Sequence, residues 1–121
     1  MGEKLKVFAS IRPSDFKPIA PAVQEPRTGL SMGESCEVMA KDWKITRTEQ
    51  DQLALRSHDN ALKAYAEGFY QDLVFPFAGL DKDNNVRKSD MEKMGKLKPA
   101  FDPKSGLGTL TAANSTPLTD G

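Results

Sequence analysis

The sequence predicts a small α+β domain with two to three helices, a few short strands and an irregular N-terminal arm. Two helix-capping boxes, each followed by apolar residues at helical spacing, predict the helices. Short apolar runs next to proline or glycine predict the strands. A chain of 121 residues is long enough for one such domain. We divide it into an arm (1–30), a helical core with a short edge strand (31–104), and a C-terminal strand and loop (105–121).

The arm (1–30) contains four prolines, Pro13, Pro18, Pro21 and Pro26. Because proline fixes φ and has no N–H to donate, it favours extended and turn conformations. The apolar residues between these prolines need another surface to pack against. We therefore expect the arm to be irregular.

Ser31 and Glu34 form the first capping box, in which each side chain accepts a hydrogen bond from the other residue's backbone N–H. The pattern that follows predicts a helix over about 32–43. Its apolar residues recur at steps of three and four, which places them on one face: Met32, Cys36, Met39 and Trp43. We expect this face to be buried.

Thr46 and Glu49 form the second capping box, and the pattern behind it predicts a long helix over 48–67. The inward stripe of this helix consists of Leu55, His58, Leu62 and Tyr65. Gly68 is placed to adopt the left-handed conformation that ends many helices. Because only a few residues join the two helices, we expect them to pack against each other.

Weaker signals follow Gly68. The segment 73–77 suits a short strand at a sheet edge, since it contains a proline. Ser89 and Glu92 predict a third capping box before a short helix, and the segment 105–114 predicts a strand. The last residues resemble a loop that leads into another helix, so we expect the chain to be a fragment.

The charges of the chain balance, with 17 acidic and 17 basic residues. The whole chain therefore exerts no general attraction on nucleic acid or anionic membranes. A single cysteine excludes an internal disulfide and fits a reducing compartment. No apolar run approaches the roughly 18 residues that span a bilayer. We expect a cytoplasmic protein without a nucleic-acid partner.

Cys36 and His58 are the only thiol and the only imidazole in the chain. Both fall on apolar helical faces, so we predict a buried structural cysteine and a histidine at the edge of the core. A Cys36–His58 pair is the less favoured alternative, because no orienting residue is evident beside it. One histidine and one cysteine provide no metal-ligand cluster. We predict neither a catalytic residue nor a metal site.

Basic residues bracket the predicted third helix. They are Arg87, Lys88, Lys93, Lys96 and Lys98. Such a run is usually a solvated surface, but cations at this density can also hold a diphosphate. The residues alone leave both interpretations open.

Four segments resemble motifs of the thiolase family, in the family's order. Residues 32–41 (MGESCEVMAK) resemble its MG-x-x-A-E-x-x-A helix. Residues 45–58 (ITRTEQDQLALRSH) resemble I-[ST]-R-x-x-Q-D-x-x-A-x-x-S. Residues 96–101 (KLKPAF) and 108–115 (GTLTAANS) resemble K-L-[KR]-P-A-F and G-T-[VL]-T-A-[AG]-N-[AS]. The chain is more similar to thiolases of fatty-acid β-oxidation, including the trifunctional-protein β subunit, than to biosynthetic thiolases.

The resemblance implies a fold of two similar core halves with a loop domain inserted in the first, and this chain matches the loop domain. Thiolases are acyl-CoA C-acyltransferases that cleave 3-ketoacyl-CoA with a second CoA. They use a nucleophilic cysteine, a histidine and a second cysteine, all of which lie outside the matched segment. Cys36 stands where the family commonly has alanine or threonine. The resemblance therefore implies that the chain alone is inactive.

The thiolase loop domain covers CoA, so the resemblance also implies CoA-binding positions. These are Met32 near the pantetheine, Arg87 and Phe101 near the adenine nucleotide, and Ala112 and Thr116 along the pantetheine tunnel. CoA is expected as a substrate, with no separate cofactor. Expected partners are the parent's core domains, a second copy and a subunit of a β-oxidation complex. The alternative is an interaction module whose arm and amphipathic helices dock a partner subunit or a membrane surface.

Overall fold

The structure, a computed structural model, describes residues 9–18 and 22–117. The predictions for residues 1–8, 19–21 and 118–121 lie outside these ranges. The helices that lie wholly within these ranges are a 3₁₀ helix (Pro13–Phe16), α1 (Met32–Asp42), α2 (Arg47–Ala66) and α3 (Met91–Gly95). Extended segments and turns connect them, so that the described part of the arm is largely irregular.

Both strong capping boxes form as predicted. The Glu34 N–H donates to Ser31 Oγ at 3.3 Å, and the Ser31 N–H donates to the Glu34 carboxylate at 2.7 Å. Thr46 and Glu49 make the same exchange at 3.3 and 2.8 Å. These boxes satisfy N–H groups that have no partner inside the helix. The two long predicted helices are confirmed to within one residue at each end.

Gly68 follows the C-terminus of α2 and adopts the left-handed conformation that the sequence predicts. Gly68 has φ +76°, which a residue without a Cβ adopts at little cost. The N–H groups of Phe69 and Gly68 donate to the carbonyls of Ala64 and Tyr65 at 2.9 and 3.2 Å. This pair of bonds satisfies two of the carbonyls in the last turn of the helix.

Helix α3 begins one residue later than predicted. Asp90 is its N-cap, because its carboxylate accepts from the Lys93 N–H at 2.8 Å. That bond also lowers the pKa of Asp90. Glu92 pairs instead with Lys96 at 2.5 Å. The predicted Ser89–Glu92 box is therefore wrong: the cap lies one residue later, and the Glu92 carboxylate that would close the box pairs with a lysine.

The strand expected at 73–77 is absent. The N–H groups of Leu73 and Val74 both donate to the Tyr70 carbonyl, so the chain turns instead of extending. Downstream, Phe77 and Leu80 exchange two backbone hydrogen bonds of 2.9 Å in an isolated bridge. A proline at position 76, which has no N–H to donate, stands between the turn and the bridge.

The strand expected at 105–114 also does not form. The N–H groups of Thr109 and Leu110 donate to the Glu37 carboxylate at 2.8 to 3.0 Å. The next N–H, of Thr111, donates to the side chain of Asn114 at 2.7 Å. Because side chains take these donors, no neighbouring strand can pair with them.

Helices α1 and α2 do not pack directly against each other, contrary to the prediction; of the described helices, only α2 and α3 do so. The segment 109–114 links α1 and α2 instead. Glu37 of α1 binds one part of it, while Gln50 and Asp51 of α2 bind Thr109 and Asn114 at 3.0 and 2.9 Å. The shared segment thus takes the place of the expected helix–helix contact.

The predicted apolar face of α1 is exposed. Met32 and Trp43 are 71% and 70% exposed, and Cys36 is half-buried instead of buried. The buried residues of α1 are Glu37 and Ala40. Glu37 determines which face of α1 is buried, because its carboxylate accepts three hydrogen bonds from the segment 109–110.

Candidate functional site

A groove of about 750 Å³ lies between α2 and the segment 110–117. One wall is a single face of α2, formed by Gln50, Leu53, Ala54, Ser57 and His58. Residues 110 and 112–117 form the other wall, and Asn85 and Arg87 also line the groove. The volume is in the range of small-molecule sites. We call it the α2 groove.

Three of the five predicted CoA-binding residues line the α2 groove. These are Arg87, Ala112 and Thr116. Phe101 lines a separate hollow of about 600 Å³ (the Phe101 hollow), and Met32 lines a third of about 410 Å³ (the Met32 hollow). The structure therefore brings Arg87 together with the segment 112–116, but it leaves Met32 and Phe101 outside the α2 groove.

His58 belongs to the α2 groove, a role that the sequence reasoning missed. The imidazole is half-buried, and it makes no hydrogen bond to the described part of the chain. The signal was present in the spacing, since the five α2 residues of the groove recur at steps of three, one, three and one. That pattern marks one face of a helix, on which His58 is the last member.

Ion pairs occupy two residues of the basic run, whereas Arg87, which lines the α2 groove, has none among the described residues. Lys93 and Lys96 form ion pairs with Asp90 and Glu92 at 3.1 and 2.5 Å. Arg87 is exposed and forms no ion pair with the described residues. Its guanidinium is therefore available to an anionic group in the groove.

Cys36 and His58 line different hollows of the described surface. The alternative of a paired thiol and imidazole is therefore not assembled. Among residues 9–18 and 22–117, no group of three or more His, Cys, Asp and Glu side chains could hold a metal ion. In the same residues, no helix is both long and apolar enough to cross a bilayer.

Two contacts with α1 hold Phe101 in position. The Lys41 ammonium and the Ser105 hydroxyl hold the pKa of Asp102 down to about 2, and Lys41 bonds it at 2.5 Å. This ion pair ties the segment that carries Phe101 to α1. Gly33 of α1 lies so close to the ring that a Cβ at this position would overlap it.

Replacing Gly33 with alanine is expected to displace the Phe101 ring. Overpacking of this kind costs about 1–3 kcal/mol, against which alanine gains up to about 1 kcal/mol in helix propensity. Urea unfolding and the ring proton shifts of Phe101 measure both effects. Gly95→Ala is the matched control, because no atom lies within 4 Å of its added Cβ. An unchanged Phe101 ring in Gly33→Ala would contradict the predicted contact.

The chain belongs to the thiolase family, since the profile described as "Thiolase, N-terminal domain" matches residues 16–121. It is similar to the 3-ketoacyl-CoA thiolases of Erwinia tasmaniensis, at 50% identity over 131 residues, and of Klebsiella pneumoniae, at 52% over 128 residues. Each match covers 100% of this chain and 29% of the relative. The chain therefore spans less than a third of the length of these relatives.

A solved structure supports the same conclusion. The acetyl-CoA acetyltransferase of Bacillus anthracis superposes with a TM-score of 0.66 at 35% identity, over 79% of this chain and 26% of that protein. The fold is thus a small domain of the thiolase type, broadly consistent with the predicted α+β class, and the described residues contain isolated bridges instead of strands. The predicted family resemblance is confirmed.

Proposed function

We propose that the chain forms part of the CoA-binding wall of an acyl-CoA C-acyltransferase, a 3-ketoacyl-CoA thiolase of fatty-acid β-oxidation. The observation that carries the proposal is the α2 groove, which Arg87, Ala112 and Thr116 line together. Arg87 and Ala112 are far apart in the chain, so it is the fold that brings them to one groove. The similarity to 3-ketoacyl-CoA thiolases supports the same ligand.

The lining of the α2 groove suits the parts of CoA. Leu53, Ala54 and Pro117 offer apolar surface to the carbon chain of the pantetheine arm, while Ser115 and Thr116 offer hydroxyl groups to its amides. A basic residue, Arg87, supplies the positive charge that phosphate groups require. Because the net charge of the chain is zero, such a local cation is the feature that would select an anionic ligand.

In this proposal the chain binds CoA as a substrate but does not catalyse acyl transfer alone. Its single thiol lies in the Met32 hollow and its single imidazole in the α2 groove. The family chemistry uses two cysteines and a histidine, all outside the matched segment, so the catalytic groups would come from the parent's core domains. A second copy of the parent and a subunit of a β-oxidation complex are the further proposed partners.

Replacing Arg87 with alanine is expected to weaken CoA binding about fivefold to tenfold, because a charge-assisted bond to phosphate is lost. Titration of the ¹⁵N-labelled chain with CoA measures this, and we expect dissociation constants on the order of millimolar for the unsubstituted chain. The shift changes should fall on Ser57, His58 and 112–116. Lys88→Ala is the matched control, since Lys88 is adjacent and exposed but does not line the groove. Equal weakening in both variants would contradict a specific role for Arg87.

One observation favours the second candidate, an interaction module. Met32, Met39 and Trp43 of α1 remain 43% to 71% exposed on one face. A partner subunit or a membrane surface would cover such a face. Shift changes confined to α1 and the arm on adding lipid vesicles, with none on adding CoA, would favour this function over the first.

A further inference from the structure

We infer that Asp51 and Asn114 are positioning residues, whose hydrogen bond sets the spacing between the two walls of the α2 groove. The Asn114 Nδ2 group donates to Asp51 Oδ1 at 2.9 Å. Asp51 lies on α2, and Asn114 lies in the segment that forms the opposite wall. The consequence for CoA binding rests on the proposed function, while the consequence for the groove geometry does not.

The Asn114 amide also determines the shape of its own wall. Its oxygen accepts from the Thr111 N–H at 2.7 Å, and its nitrogen donates a second bond to the Thr109 carbonyl at 3.1 Å. The turn between these residues is closed further by the Ala113 N–H, which donates to Thr111 Oγ1 at 3.3 Å. One side chain therefore holds the turn that presents Ala112 to the groove.

Asp51 anchors this turn to the rest of the fold. It is 1% exposed, and its second oxygen accepts from Arg47 Nε at 2.7 Å. Arg47 in turn donates to the carbonyls of Met94 and Leu97 at 2.6 and 3.3 Å, at the end of α3. A continuous set of hydrogen bonds thus joins α3, α2 and the groove turn. Such networks are rigid when every member is satisfied.

Asp51 acts on the groove only through Asn114. Gln50 and Asn114 line the groove, but Asp51 does not. A change at Asp51 therefore removes no contact with a bound ligand. In a variant that stays folded, an effect of Asp51 on CoA binding must therefore come from the position of the turn.

An exchange of the two side chains tests the inference. In Asp51→Asn, the new amide nitrogen faces a donor, either Arg47 Nε or Asn114 Nδ2, so one hydrogen bond is lost. In Asn114→Asp, two carboxylates face each other and neither can donate. In the combined variant, the amide at position 51 can accept from Arg47 and donate to the carboxylate at position 114, which still accepts from the Thr111 N–H. Because the bond to the Thr109 carbonyl stays lost, the recovery is expected to be incomplete. We expect each single variant to weaken CoA binding about tenfold, and the combined variant to return to within about threefold of the original.

The control is Ala40→Gly, which disturbs buried α1 away from the groove. It is expected to lower stability without changing CoA affinity, and so it separates general destabilisation from positioning. If the unsubstituted chain binds CoA and the single variants bind it equally well, the positioning inference is overturned while the proposed function stands. Failure of the combined variant to recover affinity also counts against the inference.

If the unsubstituted chain does not bind CoA, the proposed function fails and the geometry is measured without ligand. The amide shifts of Ala112, Ala113 and Ser115 should then move in each single variant and return toward their original values in the combined one. Shifts that do not move in the single variants, or do not return, overturn the positioning role. Shifts that follow this pattern support it independently of CoA.

Discussion

Replacing Asp51 with alanine is expected to lower the free energy of unfolding by about 3–5 kcal/mol. Asp51 is 1% exposed, and removing its carboxylate takes away the anionic partner of Arg47 and one of the two acceptors of Asn114 Nδ2. An uncompensated, largely buried charge is the main cost. Because small domains are stable by only about 5–15 kcal/mol, much of the chain's stability is expected to be lost. Urea unfolding followed by circular dichroism measures the change.

The matched control for this prediction is Glu67→Ala. Glu67 and Lys63 form an ion pair at the same i, i+4 spacing as Arg47 and Asp51, but at 3.8 Å and exposed to solvent. Exposed pairs of this kind contribute about 0.3–0.5 kcal/mol. Similar losses in both variants would show that burial of Asp51 has no special effect.

Replacing Glu37 with alanine is expected to lower the free energy of unfolding by about 3 kcal/mol, because it leaves buried N–H groups without an acceptor. The Glu37 carboxylate accepts from the backbone of Thr109 and Leu110 and from the Thr109 hydroxyl, at 2.8 to 3.1 Å. These bonds attach α1 to the segment that lines the α2 groove. Hydrogen exchange at the Leu110 amide should accelerate in parallel with the loss of stability.

Asp42→Ala is the control for Glu37, since it removes an exposed carboxylate from the same helix. We expect it to change the free energy of unfolding by less than about 0.5 kcal/mol. A Glu37→Ala variant as stable as the Asp42→Ala variant would contradict the assigned role of the buried carboxylate.

The helices could be predicted because their signals are local. Ser31 with Glu34 and Thr46 with Glu49 satisfy the first turn of each helix from within that turn, so no distant contact is needed. Gly68 likewise ends α2 by its own conformation. Where two adjacent residues can both cap a helix, as at positions 89 and 90, the local pattern did not determine which of them does so.

The buried face of α1 could not be predicted, because it depends on residues more than 70 positions away. Periodicity assigned the buried side to Met32 and Trp43, whereas the donors of Thr109 and Leu110 draw Glu37 inward. A buried carboxylate that accepts backbone N–H groups has no signature in spacing alone. The same bonds explain why the expected C-terminal strand does not form.

The candidate site was predicted in part. The family resemblance supplied Arg87, Ala112 and Thr116, which the fold gathers in one groove. The α2 face that ends at position 58 was missed, although its helical spacing was visible in the sequence. Met32 and Phe101 lie in other hollows, and the proposed contacts of all five residues with CoA stay predictions.

Intermolecular nuclear Overhauser effects test the central claim most directly. With the ¹³C-labelled chain and saturating CoA, we predict contacts from the geminal methyl groups of the pantetheine arm to the methyl groups of Leu53 and Ala112, which line opposite walls of the α2 groove. Contacts only to the methyl groups of α1, such as Met32 and Met39, or none to the groove, would contradict the account.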